Sequence, residues 1–169
     1  MVPQRGARRH RRGAGRALYD AAMLPPSPAP PRPDFRAPAF LRAHLADIMA
    51  FYAGRCADAS GGLYHFFKDD GTVYDARTRH LVSSTRYVVT HALYWRHFGH
   101  APSRDLARHA LAFVTDVHRQ PSGGYAWLLD WHHGKATVTD ATNHCYGLAF
   151  VLLAQAHALQ AGLAEAAAG

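Results

Sequence analysis

Ser60-Gly61-Gly62-Leu63-Tyr64-His65-Phe66-Phe67 and Ser122-Gly123-Gly124-Tyr125-Ala126-Trp127-Leu128-Leu129 stand 62 residues apart, and their surroundings repeat with them. Before each Ser-Gly-Gly runs a stretch with helical spacing, Ala39 to Gly54 in the first copy and Ser103 to His118 in the second. After each comes an aromatic run, a turn (Asp70-Gly71, His133-Gly134), an Asp (Asp75, Asp140) and a further apolar helical stretch. A period of this size marks units that bury their apolar faces only against neighbouring units. Two helices joined by a hairpin suit a toroid of stacked helix pairs, and this chain holds two such units.

Apolar positions Leu41, Leu45, Ile48, Met49 and Tyr52 recur every three or four residues, which predicts a first helix over about 38–55, with Pro38 in its first turn. Residues 63–74 read as a short hairpin turning at Asp70-Gly71. A second helix is predicted over 79–98, ended by Gly99, and a third from Pro102-Ser103 with Ser103 as N-cap. Residues 124–138 read as the second hairpin. The fourth helix, 141–163, follows Asp140 as N-cap and is apolar almost all round, so it wants burial on every side.

Charge divides the chain. Residues 1–33 carry seven Arg against one acid, whereas residues 34–169 carry twelve basic and eleven acidic side chains. Six of the seven net positive charges therefore belong to the tail, which continues into a Pro-rich stretch and reads as extended or disordered. Residues 1–22 are read as translated upstream sequence ahead of Met23. Lacking interleaved aromatics, the tail is not read as a nucleic-acid arm, and lacking an apolar core it is not read as an export signal. No apolar run approaches the ~18 residues of a membrane span. Cys56 and Cys145 form no disulfide framework, are read as small hydrophobes, and point to the reducing cytoplasm.

Gly61-Gly62-Leu63-Tyr64-His65 through Asp70-Gly71-Thr72-Val73-Tyr74-Asp75, followed by Thr85-Arg86-Tyr87, resembles the N-acylglucosamine 2-epimerase family. That family includes cellobiose 2-epimerases, mannose isomerases and sulfoquinovose isomerases. Asn143-His144-Cys145-Tyr146-Gly147-Leu148-Ala149-Phe150 looks like the family's second signature, a Tyr shortly before Ala-Phe, in a version closer to the mannose isomerase branch. The resemblance covers about residues 38–163. It implies a six-pair (α/α) barrel, of which residues 34–169 supply the N-terminal third: an all-α fold whose helix pairs are joined by short β-hairpins. The implied substrate is a monosaccharide or disaccharide, isomerised or epimerised through an enediolate, and no cofactor is expected.

Arg86 matches the family's substrate-contacting Arg. A guanidinium is always charged and presents a rigid donor fork, suited to sugar hydroxyls and to a developing enediolate oxygen. Tyr146 matches the signature Tyr, with a buried, internally satisfied phenol as its alternative. His144 reads first as a loop-end or capping histidine and second as a substrate contact. The family's proton-moving histidines lie on later inner helices, so the resemblance assigns no catalytic residue here and implies a chain inactive alone. His97/His100 and His132/His133 lack a third ligand at matching spacing, so no metal is expected. Two other classes stay open. One is a non-catalytic half-barrel that self-associates or docks a C-terminal complementing chain. The other is a glycoside hydrolase or lyase using Asp69-Asp70 and Asp140, whose bland alternatives are a turn and an N-cap.

Overall fold

The computed structural model describes residues 32–163, in two compact units, residues up to Leu41 and residues from Arg42 onward. The tail reading for residues 1–33 falls almost wholly outside the described residues. In the first unit the Asp34 carboxylate accepts from the Arg36 amide (2.9 Å), and Phe35 meets Phe40 edge to face.

Among the described residues there are four α-helices and five strands: α1 (Pro38–Tyr52), β1 (Phe66–Phe67), β2 (Val73–Asp75), β3 (Thr78–His80), α2 (Leu81–Phe98), α3 (Ala101–Phe113), β4 (Leu128–His132), β5 (Lys135–Asp140) and α4 (Cys145–Gln160). The chain is helix-rich, but it is not all-α. β1 and β2 form a small antiparallel pair, and β3, β4 and β5 form a three-stranded antiparallel sheet. β3 occupies residues predicted as the start of the second helix; its pairing with β4 (Arg79 opposite Leu129) holds them extended until Leu81.

The repeat is visible bond by bond. Tyr64 N–H donates to Cys56 C=O and Ala126 N–H to His118 C=O; Asp58 N–H donates to Gly62 C=O and Gln120 N–H to Gly124 C=O. Each partner sits 62 residues from its counterpart. Gly62 adopts φ +68°, and a Cβ there would lie 2.9 Å from the Phe113 ring, so the glycine serves both the turn and the close approach of α3.

Helix ends depart from the sequence reading in informative ways. α1 stops at Tyr52 because Arg55 and Cys56 amides return to the Tyr52 carbonyl and turn the chain into the loop. Gly99 ends α2 in the left-handed conformation, as expected, with its N–H on the Trp95 carbonyl. The N-cap of α3 is His100, not Ser103; the Ser103 hydroxyl lies inside the first turn, 2.9 Å from His100 Nδ1. α3 runs into a π-helical turn, Val114–His118, which carries His118 into the interior. Asp140 is not the N-cap of α4. It ends β5, its carboxylate accepts from Thr142 N–H (2.9 Å), and His144 holds the N-cap position.

The core lies where α2 packs on α3 and α4, around Leu81, Val88, Ala107, Leu111, Val151 and Ala154. A polar network ties the first repeat loop to strands β3 and β4. Arg79, fully buried, donates to the Asp58 carboxylate at 2.6 Å, Ser60 donates to the same carboxylate at 2.7 Å, and Trp131 Nε1 donates to Ser60 Oγ at 3.0 Å. Cys56 is buried as expected, whereas Cys145, in the first turn of α4, is exposed. No described helix is long and apolar enough to cross a membrane.

Candidate functional site

The N-terminal ends of α2 and α4 come together at the Trp127 ring. Its centroid is 4.4 Å from the His80 ring and 4.5 Å from the His144 ring, both edge to face. Its backbone C=O accepts from Leu81 N–H (3.0 Å) and its N–H donates to Asp140 C=O (2.9 Å), so the residue is tied to the start of α2 and the end of β5. Gly147 makes room for it: a Cβ at that position would stand 3.3 Å from the indole and 2.9 Å from Leu81.

Tyr146 continues this patch, 6.5 Å from Trp127 and 5.0 Å from Phe150 between ring centroids. Arg86, one and a half turns into α2, places its guanidinium 5.1 Å from the centre of the Phe150 ring. The three residues that the sequence motifs single out are thus brought into one patch: Arg86 and Tyr146 meet through Phe150, and Tyr146 and His144 meet through Trp127. Tyr146 is 57% exposed, so the buried-phenol alternative does not describe it. His144 stands at the N-cap position but makes no side-chain capping bond; its ring rests on Trp127 instead.

On its other side Arg86 borders a cavity of about 330 Å³, lined also by Tyr52, His65, Ser83, Tyr87 and His91. His65, on the wall of this cavity, belongs to a chain of neutral histidines. His80 N–H donates to His65 Nδ1 (3.1 Å), so the His65 proton is on Nε2, facing Ser84 Oγ at 3.4 Å. His118 must donate from Nδ1 to the Ala126 carbonyl (3.0 Å), which leaves its Nε2 to accept from Ser84 Oγ at 3.1 Å. Burial first, then the Arg79 charge, pushes the His65 pKa down to about 3; burial lowers His118 to about 4 despite its bond to Ala126. His80 is lowered by burial and by the charge of Arg86, and its Nδ1 accepts from Val82 N–H, so it enters the patch as a neutral ring.

Chemically the patch offers one fixed cation, one phenol and a run of aromatic edges. That set suits an uncharged polyol with apolar C–H faces, and an oxygen that gains negative charge. Among the described residues no group of three His, Cys, Asp or Glu side chains converges to hold a metal ion. Asp70 and Asp140 do not form a carboxylate pair in this patch: each accepts from the amide two residues on, and both pKa values are lowered, Asp70 first by the Thr72 amide and Asp140 first by the Thr142 side chain and then its amide. Trp127 and His80 are site residues that the family motifs do not single out, whereas Phe150 belongs to the second signature. The repeat does mark Trp127, since it stands 62 residues after His65 and both rings sit at the N-terminal end of the following helix.

Two successive helix-hairpin-helix units thus carry an Arg–Tyr–Trp patch at the N-terminal ends of α2 and α4. The sequence profile of the N-acylglucosamine 2-epimerase (GlcNAc 2-epimerase) family matches residues 62–169, and the chain belongs to that family. A D-mannose isomerase of Marinomonas mediterranea is 50% identical over 134 residues, covering 79% of this chain and 33% of the relative. A crystal structure of a D-mannose isomerase superposes with a TM-score of 0.76 at 50% identity, covering 80% of this chain and 34% of that one. A sugar epimerase from a ruminal bacterium superposes with a TM-score of 0.68 at 25% identity, over 77% of this chain and 33% of the other. The chain therefore spans about a third of the length of these relatives.

Proposed function

We propose that this chain supplies the first two helix pairs of an (α/α)6 sugar isomerase or 2-epimerase, and that its part in the reaction is to bind and polarise the sugar. The observation that carries this reading is the convergence of Arg86, Tyr146 and Trp127 in one open patch, in a chain half identical to a D-mannose isomerase. The substrate is an aldose such as D-mannose. In its open-chain form a base removes the C2 proton, and the electron pair forms an enediolate whose oxygen gains charge. Arg86 stabilises that oxygen, while Tyr146 holds a hydroxyl through its phenol.

His80, His65 and His118 are not arranged as that base. His80 accepts with Nδ1 from its own helix and is kept neutral, and His65 and His118 are committed to each other through Ser84. The proton-moving histidines belong to the two-thirds of the relatives' length that this chain does not match, so the chain alone binds sugar without turning it over. The unpaired cysteines fit work in the reducing cytoplasm.

Saturation-transfer NMR with D-mannose tests the binding role. Transfer to the sugar is expected with the 169-residue chain, with affinity about 10–100-fold weaker in Arg86→Ala, the worth of a charge-assisted hydrogen bond. Equal transfer with the variant would remove Arg86 from the role. Conversion of D-mannose to the corresponding 2-ketose by the isolated chain at a rate well above buffer would overturn the division of labour.

A further inference from the structure

The two units differ in what covers them, and the difference has a direction. Aligned on their N-cap residues, His80 and His144, α2 and α4 correspond position by position. Val82, Thr85, Val88 and Ala92 of α2 are buried, because α3 and α4 pack on this helix. Their counterparts in α4 are Tyr146, Ala149, Leu152 and Ala156, and all four are exposed, Leu152 to 68%. The opposite face behaves in reverse. Gly147, Val151, Ala154 and Ala158 of α4 are buried. Their counterparts Ser83, Tyr87, Thr90 and Tyr94 of α2 instead line the open cavities beside α1.

α1 and α3 show the same relation across the 62-residue step. Ala107, Ala110, Leu111 and Val114, all buried, correspond to Leu45, Ile48, Met49 and Tyr52. Met49 is buried, but Leu45 and Ile48 are 43% and 40% exposed, large apolar side chains where the second unit has sealed alanines. One end of the repeat thus presents the surface that covers a preceding unit, and the other end presents the surface that needs covering.

We propose that the 169-residue chain on its own associates head to tail, α1 and α2 of one copy covering the bare face of α4 of the next. The contact continues the interface already made inside the chain between α2 and the α3–α4 pair. A heterologous contact of this kind either closes into a ring or runs on as a filament. Closure comes at three copies, since the relatives that superpose on two units are about three times as long. This goes beyond the sugar-binding reading; the two share Tyr146, at the N-terminal end of the α4 face, whereas Leu152 and Leu45, which the test changes, lie outside the sugar patch.

Light scattering coupled to gel filtration reads the outcome directly. The wild-type chain is expected at three times its 18.6 kDa mass. Leu152→Glu spoils the α4 face and Leu45→Glu the covering face; both side chains are exposed, so each variant should keep wild-type circular dichroism and run as a monomer. Mixed in equal amounts, the two variants retain one good face each and should pair into a species of twice the chain mass. Leu152→Ser repeats the test with a milder change. A monomeric wild type, a dimer unaffected by Leu45→Glu, an open-ended polymer, or variants that do not pair on mixing would each overturn the proposal. So would α4 being covered only by a separate polypeptide that supplies further units.

Discussion

α2 and α4 start alike, each with a histidine at its N-cap position whose ring touches Trp127, yet one is the centre of the core and the other is half bare. Their sequences explain the difference only in part. α2 carries Ser83, Arg86 and Thr90 on the face turned from its neighbours, a polar strip that tolerates water and lines a cavity. α4 carries Leu152, Leu153 and Leu159 on its open face, exposed to 68%, 42% and 59%. In a repeat protein the stability of a unit includes its neighbour, so an apolar helix face marks where a further surface belongs.

Acid should separate the two helices most severely, because the buried histidines gather around α2. His65, His118 and His91 titrate near 3, 4 and 4 in the folded chain, each chiefly because burial disfavours the charged ring. In the unfolded chain they take up protons near pH 6.5. The unfolded state therefore binds more protons between about pH 6.5 and 4, and stability is full above that window and falls as pH drops through it. The slope approaches about 4 kcal/mol per pH unit for three groups, measurable by urea melts from pH 7.5 to 4.5. His65→Gln with His118→Gln should flatten most of it.

The next largest effect is expected where the first repeat loop is tied to β3. Asp58→Ala strands the buried Arg79 charge and should cost about 3–5 kcal/mol in denaturant unfolding. The counterpart of Asp58 is Gln120, which merely donates to the His118 carbonyl; Gln120→Ala should cost under about 1.5 kcal/mol.

Glycines at matched positions should differ as well. Gly62→Ala puts a Cβ at positive φ against Phe113 and should cost about 2–4 kcal/mol. Gly124→Ala meets only the Asn143 side chain, at 3.0 Å, which can give, and should cost under about 1 kcal/mol. The smallest pair probes the helices themselves. Val88→Ala should lose about 2 kcal/mol from a sealed site, and its counterpart Leu152→Ala less than about 0.5 kcal/mol in dilute, monomeric protein.

Much of this architecture is legible in the amino-acid sequence. The 62-residue step locates both loops, three- and four-residue spacing locates the first helix because burial on one face leaves a periodic mark, and the fourth shows as an apolar run. Helix starts are legible less well. β3 reads like the helix it precedes, since its extended form comes from pairing with β4, a partner some fifty residues away. Asp140 and Ser103 are good capping residues by type, but the strand end and the His100 turn take those positions. Of the candidate site, Arg86, Tyr146 and His144 are found by motif and do lie together. Trp127 joins them only through the hairpin's return, which local pattern does not record. The buried pair Arg79–Asp58 leaves no sequence signal at all, since both residue types are ordinarily exposed.

Whether the N-terminal ends of α2 and α4 form a sugar-binding patch is decided by titrating D-mannose into the isotope-labelled chain and mapping the NMR shifts. Saturable changes confined to the Trp127 indole, the Arg86 side chain and the amides of residues 144–147 are predicted, and they should vanish in Arg86→Ala. Changes that do not saturate, or that fall on residues away from these two helix ends, would refute the patch.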